Sequence, residues 1–197
     1  MLHPTRMSAG DTGLLVIDVQ EKLMAKIPDA STITRNMAFL IDCAQAVGLT
    51  VQATEQYPKG LGGTVADLAS RLPNRPEKLA FSCCAVAEVI DRFRQAGCHK
   101  ILLCGIEAHV CVQQTALDLL ALDFRVYLAA DAISSRYAID RDFAFRRLER
   151  AGCILTTCEA AAFEWLGGSD HPSFKQVSRL VQERMKDLAE GTQETDR

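Results

Sequence analysis

No apolar run in this sequence of 197 residues approaches the roughly 20 needed to cross a bilayer, so no membrane attachment is expected. A basic excess is also missing. Lys and Arg total 22 against 25 Asp and Glu, a formal charge of −3, which argues against a nucleic-acid partner. The eight cysteines include no C-x-x-C pair, and none of the four histidines stands in a zinc-finger spacing. The opening stretch MLHPTRMSAGDTG has no apolar segment, so no secretory signal is expected. Its single Arg gives thin support to a mitochondrial leader, and the expected location is cytoplasmic. No internal repeat, low-complexity tract or interdomain linker interrupts the chain.

What is present describes one globular domain. The hydrophobic content is 48% with 24% charged residues, the composition of a chain that can bury a core. In a reducing compartment the cysteines at 43, 83, 84, 98, 104, 111, 153 and 158 serve mostly as small buried hydrophobes, with at most one or two reactive. The expected boundaries are a flexible N-terminus over 1–11, a domain over 12–186 and a flexible polar tail over 187–197.

Short apolar runs alternate with longer helical patterns. The run from Leu14 to Val19 reads as a strand buried on both faces, and Leu49 to Thr54 as a second strand. Between them Ile33, Met37, Leu40, Ile41, Ala44 and Val47 recur at helical spacing, ended by Gly48. Tyr57 to Gly63 reads as a loop without helix, because it holds three glycines and a proline. A short helix over Val65 to Arg71 and an extended segment from Glu77 to Phe81 follow. Further strands are expected at Ile101 to Cys104, Arg125 to Ala130 and Cys153 to Thr156, with helices between and after them. Strands alternating with helices predict an α/β class domain: a three-layer α/β/α arrangement on a six-stranded parallel sheet.

In an open parallel sheet, ligands bind outside the carboxyl ends of the strands. Three reactive residues fall there. Asp18 sits inside the first apolar run, Lys78 in the Glu77 to Phe81 segment, and Cys111 at a helix start after the turn from Gly105 to Val110. A free thiol has a pKa near ~8.5, so a nucleophilic cysteine needs help to ionise. A helix N-terminus favours the anion by roughly 0.3–1 kcal/mol. The carboxylate of Asp18 can take the proton, the ammonium of Lys78 can stabilise the anion, and amides of the turn can bind an oxyanion. Taken singly, each residue has a plainer reading: a turn cap, a solvated lysine, a buried thiol. Convergence on one sheet edge is what gives them chemical meaning.

The segments Val16 to Glu21 (VIDVQE), Thr54 to Gly62 (TEQYPKGLG), Lys78 to Ser82 (KLAFS) and Gly105 to Val112 (GIEAHVCV) resemble the isochorismatase-like cysteine hydrolases. The likeness is closest to the branch of isochorismatase domain-containing proteins. It runs from about Thr12 to Leu180 with the motifs in the family's order. The resemblance implies an Asp-Lys-Cys triad on Asp18, Lys78 and Cys111, and a cis peptide between Ile106 and Glu107. It also implies an oxyanion site from the amides of Glu107 and Cys111. In amide-cleaving relatives the cysteine attacks a carbonyl, an amine leaves, and water hydrolyses the thioester. Metal-binding nicotinamidases carry histidines after the second strand, whereas Glu55 to Thr64 contains none, so no metal and no other cofactor are expected.

The expected activity is therefore metal-independent cleavage of a small amide or ureide C–N bond. The alternative is an idle scaffold or partner-binding protein on the same fold. Tyr57, Phe81 and His109 are candidate pocket residues. Arg141, Arg146, Arg147 and Arg150 fall on one predicted helix as a solvated face or a subunit contact. The partners expected are a small-molecule substrate and, by resemblance, further copies of the chain. Phe163 and Trp165 are candidate anchors for that contact.

Overall fold

The structure is a computed structural model that describes residues 3–195, with side chains described as far as residue 186. Of the flexible tail expected over 187–197, the backbone to Thr195 continues the last helix, while its side chains and residues 196–197 lie outside the described residues.

The chain alternates strand and helix from its start. Strand β1 (Thr12–Ile17) leads through a short turn α1 (Glu21–Met24) into α2 (Ala30–Ala46). Strand β2 (Thr50–Gln56) is followed by two single helical turns, α3 (Pro58–Leu61) and α4 (Ala66–Ala69), and a two-residue strand β3 (Glu77–Lys78). Helix α5 (Ala87–Gln95), strand β4 (Lys100–Ile106) and helix α6 (Gln113–Ala121) come next. Strand β5 (Arg125–Ser134), helix α7 (Ala138–Ala151), strand β6 (Ile154–Thr156), helix α8 (Cys158–Leu166) and helix α9 (Phe174–Thr195) complete the chain.

All strand pairs are parallel, in the order β3-β2-β1-β4-β5-β6. This is the doubly wound order in which crossovers place helices on both faces. Side chains alternate across the sheet. Leu14 and Val16 enter one apolar cluster with α2 and α8, and Leu15 and Ile17 enter a second with α5 and α6. Burial on both faces explains why β1 and β4 read as unbroken apolar runs. At Gly105 the two central strands come too close for a side chain. A Cβ there would lie 2.1 Å from the Ile17 carbonyl oxygen, and its φ of +122° suits glycine.

Three expectations need correction. The loop from Tyr57 to Gly63 contains the helical turn α3, because Pro58 occupies a first-turn position, where its missing N–H costs nothing. The extended segment Glu77 to Phe81 is a strand only over Glu77–Lys78, where it pairs with the end of β2. Most of the N-terminus is not loose. Met7 is fully buried with its amide bonded to Glu164 at 2.7 Å, and Tyr127 donates to the Thr5 carbonyl at 2.5 Å. Lys100 also ties the Arg6 carbonyl and Asp11, at 2.7 Å each. Met7 supplies the apolar anchor that makes ordering this segment favourable.

Candidate active site

Asp18 follows the last residue of β1, at φ +51°, a left-handed conformation that Asp tolerates better than most residues. Its amide is bonded to the Thr54 carbonyl of β2, and its carbonyl accepts from the Gln20 amide at 2.8 Å. The carboxylate is thereby turned under the carboxyl edge of the sheet and is fully buried. Lys78 reaches the same point from the sheet's outermost strand. Its ammonium donates to Asp18 Oδ2 at 2.6 Å, Gln56 Oε1 at 2.7 Å, the Phe81 carbonyl at 2.9 Å and, more weakly, the Ala80 carbonyl at 3.3 Å. Three protons thus meet a full set of acceptors, which is what allows a lysine to be buried. Thr54 Oγ1 donates to the other carboxylate oxygen at 2.8 Å, and the Cys111 thiol lies within electrostatic reach of Asp18.

Cys111 lies on a π-helical turn, Ala108–Val112, that bridges β4 and α6. The peptide between Ile106 and Glu107 is cis, as the resemblance implies. The Glu107 carbonyl accepts from the amides of Val110 and Val112, at 3.1 and 3.3 Å, on either side of Cys111. The Glu107 carboxylate is held by the amide and Nε of Arg136, at 3.0 and 3.1 Å.

The electrostatics correct one expectation. Cys111 is not primed as a thiolate by an α-helix, which begins only at Gln113. Burial and the Asp18 charge push its thiol up, against the opposing pull of Lys78. Burial also raises the Asp18 carboxyl above its usual range, although Lys78, Cys111 and Thr54 oppose it. Burial works against the Lys78 charge, but Asp18 and the neighbouring thiols outweigh it and hold the ammonium above its ordinary value. Asp18 and Lys78 thus stay bonded to each other, with a thiol that resists ionisation beside them.

The sequence-derived residues are therefore unequal in their placement. Asp18, Lys78 and Cys111 meet, although 60 residues separate the first two. Phe81 supplies a carbonyl to Lys78 while its ring is half exposed. Tyr57, also half exposed, lays its ring where a Cβ of Gly60 would stand, 2.4 Å away. His109 is half-buried, with Nδ1 3.1 Å from Ser135 Oγ. Trp165 is buried at 2% exposure and cannot anchor a subunit contact, whereas Phe163 remains exposed. Cys83 is buried at a 3-10 turn, its thiol pushed up to about 12 by burial, and Cys84 beside it is only half-buried.

Sequence reasoning gave no role to Gln20, Thr54 or Gln56. Gln20 is fully buried and acts as a latch. Its Nε2 donates to the Gln56 and Gly62 carbonyls at 3.0 and 2.6 Å, and its Oε1 accepts from the Gln56 amide at 2.7 Å. Gln56 and Thr54 then orient Lys78 and Asp18. The available signal was their position: polar residues inside or beside the first two apolar strands. Among the described residues, no three His, Cys, Asp or Glu side chains are grouped closely enough to hold a metal ion.

The isochorismatase domain matches residues 12–160. Isochorismatase domain-containing protein 1 of Danio rerio is 37% identical over 169 residues, 83% of this chain and 58% of that protein. The chain thus spans less than two thirds of that relative's length. A solved structure of a MAR1 ribonuclease from Caenorhabditis elegans is 42% identical, with a TM-score of 0.83 over 90% of this chain and 93% of that one. The YcaC gene product of Escherichia coli, an octameric hydrolase of unknown specificity, shares the fold. It is 21% identical, with a TM-score of 0.82 over 99% of this chain and 100% of that one.

Proposed function

This chain belongs to the isochorismatase domain family, and from that premise we propose that it cleaves a C–N bond in a small amide or ureide through a cysteine thioester. The supporting observation is the buried Asp18–Lys78 contact of 2.6 Å with the Cys111 thiol within electrostatic reach of the same carboxylate. Asp18 is the general base and Cys111 the nucleophile. As Sγ bonds to the substrate carbonyl carbon, the thiol proton passes to Asp18. The amides of Glu107 and Cys111 receive the resulting oxyanion. Asp18 returns the proton to the leaving nitrogen, the C–N bond breaks, and ammonia or an amine departs. Water then attacks the thioester and loses a proton to Asp18. The carbonyl product leaves, and that proton restores the thiol.

Lys78 makes the cycle possible by keeping Asp18 ionised while buried and by facing the sulfur when Asp18 is protonated. A carboxyl raised by burial is a better base near neutral pH than an ordinary one. The residues that carry this scheme need no metal.

The deciding measurement is ammonia release across small amides and ureides, wild type against Cys111→Ala. A substrate whose turnover falls to background in the variant is the expected result. If no compound gives a Cys111-dependent rate, the chemistry fails and the scaffold reading stands. A second reading, RNA cleavage, is raised by the name of the Caenorhabditis elegans neighbour. It requires Cys111-dependent degradation of an RNA oligonucleotide in the same preparations. Further copies of the chain are the proposed partners, in line with the octamer of the E. coli protein.

A further inference from the structure

Helix α7 leaves large apolar side chains exposed that the proposed chemistry does not use. Tyr137, Ile139 and Phe143 are 63%, 62% and 59% exposed. Ile139 and Phe143 are one turn apart on the same face, and Arg146, Arg147 and Arg150 continue it. The Arg146 guanidinium lies 5.5 Å from the centre of the Phe143 ring. The opposite face carries Ala144 and Leu148, which are buried in the second apolar cluster. An apolar patch of this kind, rimmed by charge, marks an interaction surface.

The charges on the helix say what fits it. Asp140 and Asp142 precede Phe143, with Asp142 already paired to Arg141 at 3.2 Å, and Arg146, Arg147 and Arg150 follow it with Glu149 among them, so Asp140 and the arginines are the charges left to an outside partner. A surface acidic toward one end and basic toward the other complements itself when a second copy lies antiparallel. We propose that this face of α7 docks against α7 of a second copy of this chain, about a twofold axis beside Phe143. Residues equally far before and after Phe143 then face each other. Phe143 meets Phe143, Asp140 meets Arg146, and Ile139 lies under the aliphatic stem of Arg147. Asp140 keeps 40% of its side chain exposed for this contact, with the His109 ring nitrogen 3.7 Å away as its partner within the chain. The two helix dipoles also oppose each other in this arrangement. A nucleic acid fits less well, because Asp140, Asp142 and Glu149 interrupt the arginines.

Sedimentation of the full chain at several concentrations tests this. The wild type associates, and Phe143→Asp weakens association by about tenfold or more. Asp140→Arg and Arg146→Asp each set like charges together and weaken it to a similar degree, by about tenfold. An equimolar mixture of those two variants re-associates, because each altered residue then meets its opposite. Circular dichroism checks that the variants are folded, and the mixture decides the matter even if Phe143→Asp is not. A monomeric wild type overturns the proposal, as does an assembly indifferent to these changes or a mixture that stays apart. So does a monomer that binds an RNA oligonucleotide through Arg146 and Arg147.

Discussion

Two carboxylates of this molecule each hold a basic side chain near buried thiols, yet they are equipped for different tasks. Asp18 pairs with Lys78 at 2.6 Å beside Cys111 and Cys83, with both charged side chains almost wholly buried. Asp131 pairs with Arg184 at 2.9 Å beside Cys158, with the partners 25% and 15% exposed. The difference lies in the burial of each pair and in whether the neighbouring thiol can be reached. Asp18 receives the Thr54 hydroxyl and the Lys78 ammonium, and the Cys111 thiol within its electrostatic reach keeps 5% of its surface exposed. Asp131 receives the Cys158 backbone amide and the Arg184 guanidinium, and the Cys158 thiol that interacts with it is fully buried. Arg184 also bonds Asn36 and lies 4.9 Å from the Phe39 ring centre, so this second group clamps α9 onto α2 and β5. One arrangement is suited to moving a proton, the other to fastening a helix.

Turnover separates the two most sharply. On the amide or ureide identified by ammonia release, Asp18→Asn is expected to lower kcat by roughly 10²–10⁴-fold, whereas Asp131→Asn leaves it unchanged. Equal losses would erase the distinction. Stability gives the next contrast. Lys78→Met strands a buried carboxylate and is expected to cost about 3–5 kcal/mol in urea unfolding. Arg184→Met, at a partly solvated pair, costs about 1–2 kcal/mol in the same measurement. A reversed order would mean that the Lys78 pair is not carried as an ion pair.

Thiol reactivity sharpens the comparison further. Because the Asp18 charge raises the Cys111 thiol and Lys78 lowers it, Asp18→Asn should shift iodoacetamide labelling of Cys111 to lower pH while turnover is lost. Cys158 in Asp131→Asn should stay unlabelled, since it is fully buried. Mass spectrometry of labelled peptides across pH reads both.

The smallest effect concerns the rim of the site. The Glu55 carboxyl faces an unfavourable burial, but Thr64 and Arg75 outweigh it and hold its pKa below the usual 4.5. A lowered carboxylate contributes stability that is complete above pH 4.5 and lost as pH falls through its folded value. Glu55→Gln should therefore cost about 1 kcal/mol near neutral pH, and the gap should close in acid. Urea unfolding at the two pH values checks it; a constant gap would assign the loss to packing.

Much of this was legible in order along the chain. Gly48 ends the first long helix where the periodicity stops, at positive φ. The apolar runs at β1 and β4 announced strands covered on both sides. The four motif segments pointed to Asp18, Lys78 and Cys111. Less legible were features that depend on distant partners. Lys78 reads alone as a solvated lysine, and only Gln56, Asp18 and two carbonyls explain its burial. Met7 looked like part of a loose end until Glu164 and Tyr127 were beside it.

The amino-acid order by itself determined the alternation of elements and the parallel sheet, and it singled out the candidate side chains, because periodicity, turn residues and short motifs act over a few neighbours. Tertiary structure alone decided the protonation setting of Cys111, the latch formed by Gln20 and the role of each carboxylate. Those depend on burial and on groups brought together across the sheet, and a pKa or a hydrogen bond responds to distance in space, which local sequence does not encode.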